Sequence, residues 1–112
     1  MASFQFQKLD VYVAARQLAV IVQQARIRDA ELNDQATRAA KSCFLNLSEG
    51  LPSDQAGVRK RHFAIARGSL AEVAAALDLA SALGAIDSEI AHDASNAIAR
   101  VASMLAALRR RA

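Results

Sequence analysis

Glu89 and His92 form a Glu-x-x-His pair, the spacing by which carboxylate-bridged helical bundles supply ligands to a di-metal centre. Such a centre takes two of these pairs and two further inward acids. This chain has one pair, and both members point away from the apolar stripe of their own helix, so they read as a surface pair near a helix start. His62 has no partner spaced for zinc and stands among Arg59, Lys60 and Arg61, whose charge disfavours a bound cation. Cys43 is the single cysteine. It falls on a helical core arc and reads as a small buried hydrophobe, because nothing in the chain marks a paired histidine base for it. Gly50, Gly57, Gly68 and Gly84 stand apart from one another and match no Walker or dinucleotide-binding spacing. The residue types that carry catalysis therefore lack their partners, and neither a catalytic residue nor a metal or cofactor is expected.

Charge is what remains. Arg59-Lys60-Arg61 and Arg109-Arg110-Arg111 are two compact basic groups, and both are candidate contacts to the phosphates of RNA or DNA. The terminal triplet also complements the negative end of a helix dipole. Cations near a helix start oppose that dipole, at a cost that is small a turn or more inside the helix. No aromatic residues interleave with either group, so base stacking is not indicated. A net charge of +3 and a pI near 9.6 permit an acidic partner without requiring one.

The elements that must position these residues are helices. Apolar residues make up 54% of the chain and aromatics only 4%, and alanine supplies much of the excess, which favours closely packed helices over a sheet. A length of 112 residues suits one core. At about 100° per residue, Val11, Ala14, Ala15, Leu18, Ile21, Val22 and Ala25 share an arc behind an Asp10 cap. Leu32, Ala36, Ala39, Ala40, Cys43 and Leu47 form a second arc, closed by Gly50 and Pro52. Phe63, Ala66, Leu70, Val73, Ala74, Leu77 and Ser81 form a third behind Ser53 and Asp54, running to Gly84. Ile90, Ala94, Ala97, Ile98, Val101, Leu105 and Leu108 form the fourth behind Asp87. The pattern predicts helices over about 10–27, 32–49, 54–83 and 87–110, joined by short connections into a single all-α domain, an antiparallel up-down-up-down four-helix bundle. One cysteine allows no intrachain disulfide, and the first ten residues lack the apolar core of a secretory signal, so a cytoplasmic location is expected. Charges interrupt every apolar segment before the length that crosses a bilayer, so no membrane role is expected.

A bundle helix in a monomer carries one apolar and one polar face. Two helices break this rule. Ile65, Gly68, Ala75, Ala76, Leu79 and Leu83 line the far side of helix 3, with Glu72 the only charge among them, and Val13, Val20 and Ile27 recur at seven-residue spacing on helix 1. Leu45 adds an outward leucine on helix 2. Apolar rows of this kind mark an interface, and self-association is expected.

Leu32-Asn33-Asp34-Gln35, Arg38-Ala39-Ala40, Ser42 and Asn46-Leu47-Ser48-Glu49-Gly50, followed by Ala66-Arg67-Gly68-Ser69-Leu70-Ala71-Glu72, occur in order along the chain. This pattern resembles the bacterial four-helix-bundle proteins named after the intervening sequences of 23S ribosomal RNA genes, relatives of the accessory variability protein of diversity-generating retroelements. Leu9, Val11, Ala15 and Leu18 fit that family's first helix, and Tyr12 stands where many members carry tryptophan. The resemblance implies a homo-oligomer closed as a pentameric ring, and a nucleic-acid role, since the retroelement relatives bind RNA or DNA and a reverse transcriptase. Read from the residues themselves, Asp34 and Arg38 are spaced to pair at i,i+4, and Asn46 and Glu49 lie a turn apart. Gly68 admits a close neighbouring helix at a propensity cost of about 1 kcal/mol. Arg38, Asn46, Glu49, Arg67 and Glu72 read as polar locks for packing or ring assembly, with Arg67 and Glu49 placed to bridge helices. The function that follows is a non-catalytic, ring-forming, nucleic-acid-binding accessory protein. The competing reading is a scaffold that docks a protein partner, its positive charge serving solubility. An enzyme would need an inward polar cluster that the four stripes do not supply.

Overall fold

The computed structural model describes residues 4–111. A short 3-10 turn, Gln5–Lys8, leads into four α-helices: α1 Asp10–Gln24, α2 Ala30–Gly50, α3 Ala56–Ala82 and α4 Ser88–Arg111. Each packs on two neighbours, α1 on α2 and α4, and α3 on α2 and α4, while the diagonal pairs touch little. The cross-contacts run in opposite order along α2 and α3, with Ser42 meeting Ser69 and Asn46 meeting His62, so the bundle is antiparallel. One core joins all four helices, and Phe63, Leu18, Leu47 and Leu105 are the largest side chains sealed inside it.

The helix ends follow local chemistry that the apolar period alone does not carry. α1 stops at Gln24 because Arg26 takes a left-handed φ of 51°. That turn swings Ile27 into the core, where it is 6% exposed. The predicted outward row of α1 therefore fails at Ile27. Val13 is half-buried against the core and only Val20 stays exposed. Leu9, not Asp10, occupies the cap position of α1, leaving Asp10 inside the first turn, where its charge complements the dipole. α2 begins two residues early because the Asp29 carboxylate accepts from the Leu32 N–H at 2.9 Å, an N-cap in the ordinary sense. α3 starts after Gln55, and neither Ser53 nor Asp54 caps it. It ends in a Schellman motif: the Gly84 N–H donates to the Ser81 carbonyl and the Ala85 N–H to the Ala80 carbonyl, with Gly84 at φ 69°. Ser81, counted among the core residues by its spacing, is exposed in the last turn of α3, and Ala76, counted outward, is buried at 4%.

Two loops meet at that end of the bundle. The Arg28 N–H donates to the Ala85 carbonyl at 2.7 Å, and its guanidinium donates to Asp87 Oδ1 at 2.9 Å and to the Gly84 carbonyl at 3.0 Å. The α1–α2 and α3–α4 connections are thereby tied to each other.

α2 and α3 make the most extensive helix contact in the protein. Leu47 apart, the buried face of α2 is small, built from Ala36, Ala39, Ala40, Cys43 and Gly50, and small side chains let helix axes approach. α2 ends at Gly50, one residue past its predicted close, and the glycine also has a packing role. It is buried against α3: a Cβ on it would lie 2.7 Å from Cε1 of Phe63 and 3.2 Å from Cβ of His62. Phe63 is fully buried and has nowhere to swing. Gly50→Ala is thus predicted to destabilise the fold by about 1–3 kcal/mol through overpacking, although alanine is the better helix former by about 1 kcal/mol. Urea unfolding reads the sign directly, and an equally stable or stabilised variant would show that α2 and α3 are not in tight contact there.

Cys43 is sealed on the same face, and burial pushes its thiol from the ordinary 9.0 up to about 11. The folded pKa lies above the unfolded one, so this contribution to stability is complete below pH 9 and is lost as pH rises from 9 to 11. Its full size is on the order of 3 kcal/mol. Wild-type stability is predicted to fall over that interval more steeply than that of Cys43→Ala. Parallel slopes in denaturant titrations of the two proteins would contradict it.

Candidate nucleic-acid interface

α3 and α4 are antiparallel, so the start of α3 and the end of α4 share one end of the bundle, opposite the Arg28 clasp. A groove of about 650 Å³ opens between them there. Its walls carry Lys60 and Arg67 from α3 and Arg109 and Arg110 from α4, and its floor is Ala64, Leu70, Ala102, Leu105 and Ala106. Lys60, Ala64 and Arg67 follow at i, i+4 and i+7, the spacing that places side chains on one helical arc. Small residues on both helices keep the seam shallow and wide. Leu70 and Leu105 close it from beneath as part of the core.

No acidic residue lines the groove, and among the described residues none of its four cations lies in an ion pair. Four positive charges facing one concave surface with an apolar floor focus field into it and concentrate anions. Further along the same seam the character changes. The smaller cavity bounded by Ala74, Asp78, Ser81, Ala91 and Ser95 carries a carboxylate and no cation.

The six basic residues marked by the sequence are therefore not equivalent. Lys60, Arg109 and Arg110 converge. Arg59 is committed elsewhere: its Nη1 donates to the Leu51 carbonyl at 3.2 Å and the Ser53 carbonyl at 3.4 Å, and its guanidinium lies 5.3 Å from the Phe63 ring centre. It braces the α2–α3 loop. Arg61 and Arg111 are exposed outside the groove lining. Arg67, read from sequence as a packing lock, is the missed member of the site. Its i+7 spacing from Lys60 was the available signal, obscured because five residues separate it from the end of the basic triplet.

Asn46 and Glu49 on α2 do hold helices together, though through a partner other than the Arg67 their spacing suggests. Arg67 and Glu49 form no bridge, since Arg67 turns to the groove. Glu49 instead faces His62, with Oε2 3.3 Å from Nε2. Asn46 donates from Nδ2 to the Ser42 carbonyl at 2.9 Å, which leaves Oδ1 to accept from His62 Nδ1 at 3.0 Å. The Ser42 and Ser69 hydroxyls share a hydrogen bond of 2.8 Å. Asn46, Glu49, Ser42, Ser69 and His62 thus fasten α2 to α3, with His62 meeting both Asn46 and Glu49. Arg38 pairs with Asp34 at 2.9 Å within its own helix on the exposed surface. Glu72 is exposed, and Gly68 faces open space with nothing within 4 Å of an added Cβ. Glu89 and His92 are also exposed, the latter 3.4 Å from Asn96. No group of three or more metal-ligating side chains occurs among the described residues, and no helix there is long and apolar enough to cross a membrane.

No curated protein matches the chain. The family model described as 23S rRNA-intervening sequence protein matches residues 7–107, a span that reaches all four helices and takes in the α2–α3 polar bracket and the α3 wall of the groove, and that ends before Arg109 and Arg110. With nearly the whole chain covered, the protein belongs to the 23S rRNA-intervening sequence protein family.

Proposed function

We propose that this protein is a non-catalytic, ring-forming homo-oligomer of the cytoplasm, a pentamer, that serves as a nucleic-acid-binding accessory factor and holds backbone phosphates in the α3–α4 groove. The observation that carries the reading is the convergence of Lys60, Arg67, Arg109 and Arg110 on one groove with no acid in its lining. Guanidinium and ammonium groups are the side chains that neutralise phosphates. A ring would repeat the groove around its axis, so contacts that are weak singly would add by avidity on one long polyanion.

Self-association is supported by the apolar side chains left outside. Val20, Leu45, Ile65, Leu79 and Leu83 are between 40% and 61% exposed, and the α3 members share one arc with Gly68, whose open surface leaves room for a neighbouring subunit. The same outer leucines support the alternative, a scaffold that docks a protein partner there.

In the test, structured RNA and duplex DNA are titrated at several salt concentrations against wild type and a Lys60→Ala/Arg67→Ala variant. Binding is predicted to weaken with rising salt. The variant should lose affinity and show a salt slope shallower by about 0.9 for each phosphate contact removed. An intact oligomer that binds neither polymer at low salt rules the reading out and leaves the scaffold. For assembly, sedimentation of wild type at micromolar concentration should give a multiple of the chain mass. Gly68→Leu and Leu79→Asp should reduce it while leaving the helical circular dichroism unchanged. A wild-type monomer would end the ring proposal.

A further inference from the structure

Four of the five aromatic residues, dispersed in the sequence, assemble into one ladder at the end of the bundle that carries the basic groove. Tyr12 packs on Phe44 with ring centres 4.9 Å apart, Phe6 meets Tyr12 edge-on at 5.7 Å, and Phe4 stacks on Phe6 at 5.9 Å with the planes 18° apart. The inner rungs are anchored, Tyr12 in the core and Phe6 and Phe44 against it. The outermost ring, Phe4, is 72% exposed. It is nonetheless held: its N–H donates to Gln7 Oε1 at 2.8 Å, and its carbonyl accepts from the Gln7 N–H at 3.1 Å. Beside it lies a cleft of about 520 Å³ lined by Phe4, Gln5, Phe6, Leu9, Leu51 and Pro52. Arg59 is bound to the Leu51 and Ser53 carbonyls of the loop that forms the far wall, and the lining includes no acid.

We propose that this cleft takes an unpaired nucleobase, stacked on Phe4, while the flanking phosphates lie toward the basic end of the bundle. The proposal rests on the nucleic-acid reading of the groove and adds a substrate class: strands with unpaired bases, in single-stranded segments, loops or bulges. An aromatic ladder that ends in an open ring is a platform for one more ring, and every base has a π-face to offer it. The cleft volume is within the range of small-ligand sites. Its rim holds a single amide, Gln5, able to donate to and accept from a base edge. The charge complementarity around it selects the occupant. Lys60 and Arg61 at the start of α3, and Arg109 to Arg111 at the end of α4, place cations at the same end of the molecule. A base arrives with phosphates for those cations, whereas an apolar protein side chain would leave them and Gln5 without partners. A fully paired duplex hides its base faces, so it would engage the groove alone.

A single-stranded oligonucleotide containing 2-aminopurine serves as the probe, since the chain has no tryptophan to interfere with its fluorescence. Wild type is predicted to quench the probe and to bind it more tightly than the matching duplex. Phe4→Ala should bind the strand about tenfold or more weakly, with duplex affinity and solution mass unchanged, and Phe4→Tyr should retain quenching. If Phe4→Ala binds and quenches as wild type does, the cleft proposal fails while the groove reading stands. A change in mass would mark Phe4 as a subunit contact and also overturn it. Wild type that binds neither strand nor duplex would remove both readings together.

Discussion

The close seating of α3 on α2 is the constraint on which the remaining geometry depends. Gly50 leaves room for the Phe63 ring, the alanines and Cys43 of α2 keep the axes near, and the hydrogen-bonded run from Ser69 through Ser42 and Asn46 to His62 sets the rotation of α3 about its axis. Buried polar groups contribute little net energy when paired but are costly when left unpaired, so this bracket acts mainly as a selector of one rotation and register. With His62 aimed at α2, a residue five positions on lies about 140° around the helix. Arg67 therefore cannot share the α2 face and is carried to the α4 side, joining Lys60. The direction of the basic wall follows from the packing of the opposite face.

The two ends of the bundle are built differently. At one, Arg28 gathers a backbone carbonyl, a carboxylate and the carbonyl of a left-handed glycine, and backbone hydrogen bonds close α3 in a Schellman motif. Donors and acceptors there meet within the chain. At the other end lie an open groove, an exposed phenylalanine and four cations without ion-pair partners among the described residues. Arg59 marks the division, because it is the one cation of its triplet spent on the protein's own carbonyls.

What the sequence made legible was whatever repeats with the helical period. Four apolar stripes named the helices, and nearly every stripe residue lies in or against the core. Ile27 was misread because a single left-handed residue, Arg26, ended the helix before it, and one non-glycine φ is not written in periodicity. Ala76 was misread because its angular position lies between the arc facing α2 and the arc facing outward, and the closeness of α2 decides the matter. For the site, the basic triplets were visible as runs, but a run along a helix spreads around it. Of Arg59, Lys60 and Arg61, one turns inward, one reaches the groove and one points away. Convergence is a property of two helices at once, so Arg67 and the aromatic ladder emerged only when the elements were placed together.

The dipole of α4 is the principal non-functional account of the basic end, and it covers only half of it. Arg109 and Arg110 lie in the last turn of α4, where cations gain about 0.3–1 kcal/mol each from the unpaired carbonyls. Lys60 and Arg67 gain nothing of the kind. They belong to the first half of α3, where the dipole is neutral or adverse, and they face two like charges across the groove. A cluster arranged only for stability would disperse these residues or place an acid among them, as the neighbouring cavity does with Asp78. Charges held together against their own repulsion over an apolar floor are the arrangement that an arriving anion relieves. That imbalance, and not the overall positive charge of the chain, is what the proposed phosphate binding rests on.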